Sequence, residues 1–181
     1  CSLPSALGDD HPLAPVTVRT YEAGVDRDLT RDARIGISAY RTDVRNELLF
    51  VASTLTAGFF RNIPRTLREG VEVTGEVALP EGFRVNGSYN YLDATYQSTV
   101  ALASELDGNV ATPGDRFPLS PMHQGTMSIA NTHAFRSSVL GLHLSLKAVS
   151  SQFLRGDDAN RERPLPGYAT TGAWVSWQTA Q

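Results

Sequence analysis

Hydrophobic and polar residues alternate along several stretches of the chain, which is the pattern of β-strands with one apolar face. In the clearest stretch, Val139–Val149, every second residue from Leu140 to Leu146 is leucine, and the positions between include His143 and Lys147. This alternation therefore predicts a strand with one hydrophobic side. Similar patterns predict strands at 71–79 and 83–91, and weaker ones at 16–26, 34–51, 122–131 and 168–177.

The apolar positions change parity within the predicted strand 34–51. Ile35, Ile37 and Ala39 share one parity, whereas the other is shared by Tyr40, Val44, Leu48 and Phe50. One extra residue in a strand reverses the facing of every residue that follows it. We therefore expect a β-bulge near Ala39 and Tyr40.

The connections between the predicted strands alternate between short and long. The short ones are 27–32, 80–82 and 132–135, and the long or irregular ones are 52–58, 97–120 and 154–166. Transmembrane barrels have brief periplasmic turns at one rim and long extracellular loops at the other. Their strands need about 9 to 11 residues to cross the hydrocarbon. The pattern predicts an all-β fold, a fragment of an antiparallel transmembrane β-barrel with about seven long strands in a meander.

The alternation also assigns the two faces of such a barrel wall. An Arg or Lys on the lipid face costs about 2 to 4 kcal/mol at mid-depth, so apolar positions should face lipid and polar ones the lumen. The residues expected to face lipid are Val71, Val73, Val77, Leu140, Leu142, Leu144 and Leu146, and those expected in the lumen are Glu72, Glu76, Arg84, Asn86 and Lys147. Strand ends carry Tyr89, Tyr91, Trp174 and Trp177, either as an aromatic girdle or as ordinary strand aromatics.

The composition excludes several classes of protein. The 181 residues are 41% hydrophobic with a formal net charge of −3, values of a folded protein without the basic excess that nucleic-acid binding favours. No run of about 18 apolar residues is present, which excludes helical membrane spans. The single cysteine, Cys1, cannot form an internal disulfide. It is either a loop cysteine or the lipidated residue of a lipoprotein.

No catalytic, cofactor or metal site is predicted. The sequence has no nucleophile elbow, phosphate loop or paired-cysteine motif, so we expect no enzyme. The loop residues Asp157, Asp158, Asn160 and Glu162 lack EF-hand spacing, and the four histidines lack metal-site spacing. Two remote alternatives stay open. One is a small outer-membrane barrel with enzymatic activity, and the other is a soluble β-sandwich with a binding or adhesion role. The sandwich would have shorter strands and no asymmetry of turns and loops.

Four segments resemble the TonB-dependent receptors of Gram-negative outer membranes. Thr20–Val25 is similar to a strand of that family with a Glu-x-Gly core, and Ala39–Leu48 is similar to the strand that follows it. Asn62 together with Arg68–Glu72 resembles the family's return strand, and Gly114–His123 resembles the segment by which a long extracellular loop re-enters the barrel. The four occur in the family's order and spacing.

The resemblance implies a location in the cell outer membrane and a role in importing scarce nutrients such as ferric siderophores or cobalamin, energised through TonB. The partners it implies are outer-membrane lipid and lipopolysaccharide, a small nutrient ligand, the plug and remaining barrel strands of the same parent chain, and the TonB complex through that plug. A porin-like barrel without a plug is the alternative. Cys1 resembles the second cysteine of a loop disulfide found in some members.

The same resemblance divides the chain. Residues 1–13 are expected to be the remnant of an extracellular loop, and residues 14–181 part of the barrel without plug domain or final strands. Loops on a rigid scaffold commonly carry recognition. The candidate ligand-binding residues therefore lie in the two longest loops and are Asp107, Arg116, Asp157, Asp158 and Arg161.

Overall fold

A computed structural model describes residues 13–52, 58–101 and 110–179. These residues form one seven-stranded sheet and one two-stranded sheet. A 3-10 turn at Pro80–Gly82 joins the third and fourth strands. The strands are β1 (Thr17–Asp28), β2 (Ala33–Ala52), β3 (Gly58–Ala78), β4 (Phe83–Tyr96), β5 (Val100–Ala101), β6 (Val110–Ala111), β7 (His123–Phe135), β8 (Ser138–Val149) and β9 (Tyr168–Thr179).

The large sheet is an antiparallel meander. Its spatial order, β1-β2-β3-β4-β7-β8-β9, follows the chain, and the separate β5–β6 hairpin lies between β4 and β7 in sequence. Its shortest strands have 12 residues and its longest has 21. The predicted all-β meander of seven long strands is therefore confirmed. Within the described ranges, no helix has the length and apolar character needed to cross a membrane.

Short turns lie at one end of the sheet. Residues 29–32 connect β1 to β2, and Glu81 and Gly82 both have positive φ in the turn between β3 and β4. The turn predicted at 132–135 is wrong, because these residues continue β7 and pair with β8. The polar Asn-Thr-His sequence suggested a turn, but the strand alternation runs through it, and the connection needs only residues 136–137.

The longer connections between strands lie at the opposite end of the sheet. Residues 97–122, which include the β5–β6 hairpin, connect β4 to β7, and residues 150–167 connect β8 to β9. The predicted connection 52–58 differs, because β2 runs to Ala52 and β3 begins at Gly58, and residues 53–57 lie outside the described part of the chain. This end of the sheet is the loop end, and the other is the turn end.

The register separates an apolar face from a polar face, since directly paired residues of neighbouring strands share a face. Val85, Ile129 and Leu144 are successive partners across β4, β7 and β8. One residue along, Asn86, Ser128 and Ser145 are successive partners on the other side. Every residue predicted to face lipid falls on the apolar face, and every residue predicted to face the lumen falls on the polar face.

Aromatic rings border the apolar face at two levels. Tyr91 and its partner His123 lie toward the loop end, with ring centroids 5.4 Å apart. Phe135 stacks on Trp177 at the turn end. The levels lie about 12 residues apart along β7, which for strands tilted by about 40° separates them by about 30 Å. Trp174 differs from the other strand-end aromatics because it stacks on His143 on the polar face.

The predicted bulge at Ala39 and Tyr40 is wrong. Both residues pair without interruption with β1 and β3. The change of face occurs instead at Asn46, which has a φ of 55° and lies opposite Pro64, a residue with no N–H to donate. Asparagine is among the few residues that adopt this left-handed conformation readily. Beyond it, Glu47 contacts side chains of the polar face although its parity would place it on the other.

Tyr40 lies on the polar face because Gly70 faces it from β3. The two residues are direct partners, and a Cβ built on Gly70 would overlap the Tyr40 Cζ atom. The ring therefore covers a cross-strand glycine, an arrangement that compensates for the missing side chain. The apparent loss of phase in the sequence reflects this packing and the Asn46 inversion rather than an inserted residue.

We expect Gly70→Ala to destabilise the full-length barrel by about 1 to 2 kcal/mol, because the Tyr40 ring must move. Gly75→Ala on the same strand is the control, since its nearest neighbouring atom lies 4.0 Å from the added carbon. Urea unfolding of the refolded protein in detergent measures both. In a protein that already carries Tyr40→Ala, the Gly70→Ala change should no longer destabilise the barrel. A loss of stability that persists in that background would contradict the packing account.

Candidate functional site

A small buried core forms where the loops of the loop end fold against the polar face. Its fully or almost fully buried members are Ile63, Tyr96, Val100 and Ala111. Ile63 reaches this face because both β2 and β3 change facing at the Asn46–Pro64 level. The β5–β6 hairpin supplies Val100 and Ala111. Leu49, Phe59 and Phe117 pack around this cluster.

A charged group lies beside this core. Arg68 donates to Glu47 with an Nη2–Oε1 distance of 2.5 Å, and the hydroxyl of the buried Thr66 donates to the same carboxylate. The Arg68 guanidinium carbon also lies 5.1 Å from the centroid of the Phe117 ring. Charge-assisted hydrogen bonds of this kind are stronger than neutral ones, so the group fixes Phe117 against the strands.

Tyr96 ties the two long loops together. Its ring stacks on Phe117 with centroids 4.2 Å apart, and its hydroxyl donates to Asp158 Oδ1 at 2.6 Å. Tyr96 lies five residues beyond Tyr91, above the apolar band. Burial, followed by the hydrogen bond to Asp158, raises the pKa of the Tyr96 hydroxyl above its ordinary value. The hydroxyl therefore remains protonated and keeps donating to the carboxylate.

Asp157 and Asn160 shape the second loop. The Asp157 carboxylate accepts the backbone N–H groups of Arg161 and Glu162, at 2.8 and 3.1 Å. Asn160 accepts the Arg116 N–H through Oδ1 at 2.6 Å and donates to the Arg116 carbonyl at 2.9 Å. The loop 150–167 is thus bonded to the loop 97–122 through backbone groups of Arg116.

The structure brings four of the five candidate ligand residues into this loop assembly. Asp157 and Asp158 are buried and bonded within it, and the Arg116 guanidinium lies over the Phe153 ring at 5.7 Å. Arg161 is exposed. Asp107 lies outside the described residues. Whether any of them contacts a ligand remains a prediction.

Sequence reasoning missed two features of this region. The exposed Arg155 and Arg163 lie in the same loop as Arg161, so that this loop carries three exposed arginines. Tyr96 and Phe117 organise the loop assembly. The sequence shows three tyrosines between Tyr89 and Tyr96, but strand alternation does not show which loop covers the end of a strand.

The polar face beyond these loops is open. A shallow depression there is lined by small hydroxyl residues and one lysine, and six of its residues are Asn86, Ser88, Thr126, Ser145, Lys147 and Thr170. Across the part of the chain that the structure describes, no group of three or more His, Cys, Asp or Glu residues is placed to hold a metal ion.

Comparison with known proteins identifies one family. The sequence model described as TonB dependent receptor-like, beta-barrel, matches residues 3–180. Metal-pseudopaline receptor CntO of Pseudomonas aeruginosa is 28% identical over 157 residues, which make up 86% of this chain and 20% of that protein. The chain thus spans about a fifth of the length of this curated relative.

Solved structures share the fold. BauA, the ferric preacinetobactin receptor of Acinetobacter baumannii, matches with a TM-score of 0.69 and 18% identity, over 98% of this chain and 25% of that one. FyuA, the ferric yersiniabactin uptake receptor of Yersinia pestis, matches with a TM-score of 0.66 and 16% identity, over 91% of this chain and 23% of that one.

We expect Tyr96→Phe in the full-length protein to loosen the loop assembly, because the buried Asp158 carboxylate loses a donor at a cost of about 1 to 3 kcal/mol. Hydrogen exchange of the 154–162 amides should accelerate accordingly. The control is Tyr91→Phe, which removes a hydroxyl from the apolar face of the same strand and should leave these amides unchanged. Equal exchange in the two variants would show that the Tyr96 hydroxyl does not hold the loop.

Proposed function

This chain belongs to the TonB-dependent receptor family, and from this we propose that it forms part of the barrel wall of an outer-membrane receptor that imports a small metal chelate. The curated relative is named as a receptor for metal-pseudopaline, a metal complex. That name supports a metal chelate over cobalamin as the ligand class. The proposed location is the outer membrane of a Gram-negative bacterium.

The separation of the two faces is the observation that carries the membrane placement. The apolar face presents large side chains to its surroundings, among them Leu144, which is 57% exposed, and Val175, which is 68% exposed. In water such a surface would favour aggregation. Its aromatic borders lie about 30 Å apart by the strand geometry given above, close to the hydrocarbon thickness of a bilayer. We therefore assign this face to lipid.

The polar face is assigned to the lumen. Its central strands carry serine, threonine and asparagine together with the Lys147 ammonium, groups that need water or polar partners. In the parent protein we propose that a plug supplies partners for part of this surface, and that the TonB complex acts through that plug.

The ligand is proposed to meet the loop end. The buried Asp157 and Asp158 accept hydrogen bonds within the loop assembly, whereas Arg155, Arg161 and Arg163 of the same loop are exposed. Metal chelates commonly carry carboxylate or phenolate oxygens, which guanidinium groups bind well. The two aspartates then serve to hold the loop, and the arginines to attract the ligand.

Chelate binding and uptake are tested in the full-length parent protein, with a chelator that carries a radioactive metal as the probe. We expect Arg161→Gln combined with Arg163→Gln to weaken chelate binding about five- to tenfold, since exposed charges each contribute up to about 1 kcal/mol. Arg136→Gln, in the short turn between β7 and β8, is the matched control and should bind normally. Equal chelate binding by the wild type, the double variant and the control would show that Arg161 and Arg163 do not contribute to the ligand site. Uptake that persists without TonB would favour a porin-like barrel instead.

A further inference from the structure

The β2–β3 hairpin extends beyond both neighbouring strands at the loop end. The pairing of β1 with β2 ends at Thr17–Arg45, and that of β3 with β4 ends at Thr66–Tyr96. Beyond these levels β2 and β3 continue to pair with each other as far as Ala52–Gly58. This part of the hairpin therefore projects past its neighbours, with an inner side toward the long loops and an outer side away from them.

The outer side of this hairpin carries an exposed apolar patch. Leu49 and Phe59 pack against the buried core on the inner side, so the residues that alternate with them face outward. Leu48, Phe50 and Phe60 are 42%, 49% and 38% exposed, and the two phenylalanine rings meet edge to face with centroids 5.4 Å apart. These three residues form the outer patch. Contiguous apolar surface of this kind commonly marks an interaction site.

Lipid does not reach the outer patch. The last apolar pair of the lipid-facing surface is Ala39–Val71, and Leu48 and Phe50 follow Ala39 by nine and eleven residues along β2. For a strand tilted by about 40°, this places them about 23 to 28 Å beyond the hydrocarbon. The polar zone of each leaflet is only about 5 to 7 Å thick. On the proposed placement of the apolar face in a bilayer, the patch therefore lies in water above the membrane.

The chain ahead of β1 is bonded to this outer side. The Ala14 N–H donates to Asn62 Oδ1 at 2.7 Å, and Asn62 Nδ2 donates to the Ala14 carbonyl at 3.0 Å. The Asn46 side chain donates to the Pro15 carbonyl at 3.3 Å. Asn62 belongs to β3 and shares the facing of Phe60, whereas β1 pairs with β2. The chain therefore crosses the outer side of β2 before it enters β1.

This crossing brings the preceding residues within reach of the outer patch. Asn62 is the direct partner of Leu48, and it lies two residues from Phe60 on the same side of β3, a separation of about 7 Å. Residues 1–12 span up to about 40 Å when extended, so their length does not limit contact with the patch. Their apolar members include Leu3, Pro4, Leu7 and Pro12. The tether gives these side chains a high effective concentration at the patch.

We propose that residues 3–12 of this chain pack on the outer patch, with Leu3 and Leu7 against the rings of Phe50 and Phe60. The Asn62 amide holds the end of the segment that leads into β1, and the patch holds the part before it. The segment then lies on the outer side of the wall, opposite the loops 97–122 and 150–167 that carry the proposed ligand residues.

Disulfide cross-linking in the full-length receptor tests this position. In a background without other cysteines, Leu7→Cys is combined either with Phe50→Cys or with Leu119→Cys. Leu119 is the control because it is 52% exposed at the same end of the sheet but belongs to the loop 97–122 on the inner side. We expect the pair with Phe50→Cys to form a disulfide within one chain about tenfold faster than the control pair. Heat modifiability on a gel verifies that each protein folds.

A nitroxide label on Ser5→Cys measures whether the segment is held. Its electron paramagnetic resonance spectrum should show slow motion in the otherwise unchanged receptor and fast motion when Phe50→Ser and Phe60→Ser are added. The matched control adds Leu119→Ser and Leu154→Ser, which replace two exposed leucines of the inner loops and should leave the motion slow. The spectrum of the unchanged receptor tests the inference even if the patch variant fails to fold.

Several results would overturn the inference: equal cross-linking rates for the two cysteine pairs, fast label motion in the otherwise unchanged receptor, or slow motion that persists in the patch variant. Disulfides between two receptors instead of within one would assign the patch to a second copy and would also overturn it. Both measurements use purified receptor without ligand or TonB. A receptor that cross-links as expected but takes up no metal chelate would therefore refute only the proposed ligand.

Discussion

Backbone hydrogen bonding between antiparallel neighbours is the constraint on which the rest of the structure depends. In hydrocarbon, an unpaired N–H or C=O costs several kcal/mol because no water is present to satisfy it. The five inner strands of the large sheet pair on both sides, whereas β1 and β9 form its edges. Placed in a bilayer, both edges require further strands. Relatives that are about four to five times longer have room to supply them.

The fixed register has different effects along most of the sheet and at its loop end. Along most of the sheet it places the leucines and valines of one parity on one face and the polar residues on the other. At the loop end the Asn46–Pro64 pair reverses the facing of β2 and β3, so that Ile63 turns inward and seeds the only buried cluster among the described residues. Tyr96 and Phe117 extend that cluster to both long loops. The same antiparallel register thus produces both the two-faced sheet and the organised loop surface.

The sequence predicted the features that depend on local alternation and missed those that depend on contacts between distant residues. Strand count, order and the facing of Leu140–Leu146 follow from a period of two, which each strand carries by itself. The turn placed at 132–135 was wrong because polar residues on a strand resemble a turn in composition. The Tyr40–Gly70 contact and the Tyr96–Asp158 hydrogen bond join residues 30 and 62 positions apart. Sequence pattern holds no information about such pairs without an alignment.

The central claim, that the apolar face lies against lipid, is tested most directly by placing an arginine on each side of one strand. Leu144 and Ser145 are neighbours at the same depth on opposite faces of β8. The measurement is the free energy of unfolding of full-length Leu144→Arg and Ser145→Arg proteins in lipid vesicles. The account predicts a loss of about 2 to 4 kcal/mol for Leu144→Arg and little change for Ser145→Arg. Equal losses, or a greater loss for Ser145→Arg, would contradict it.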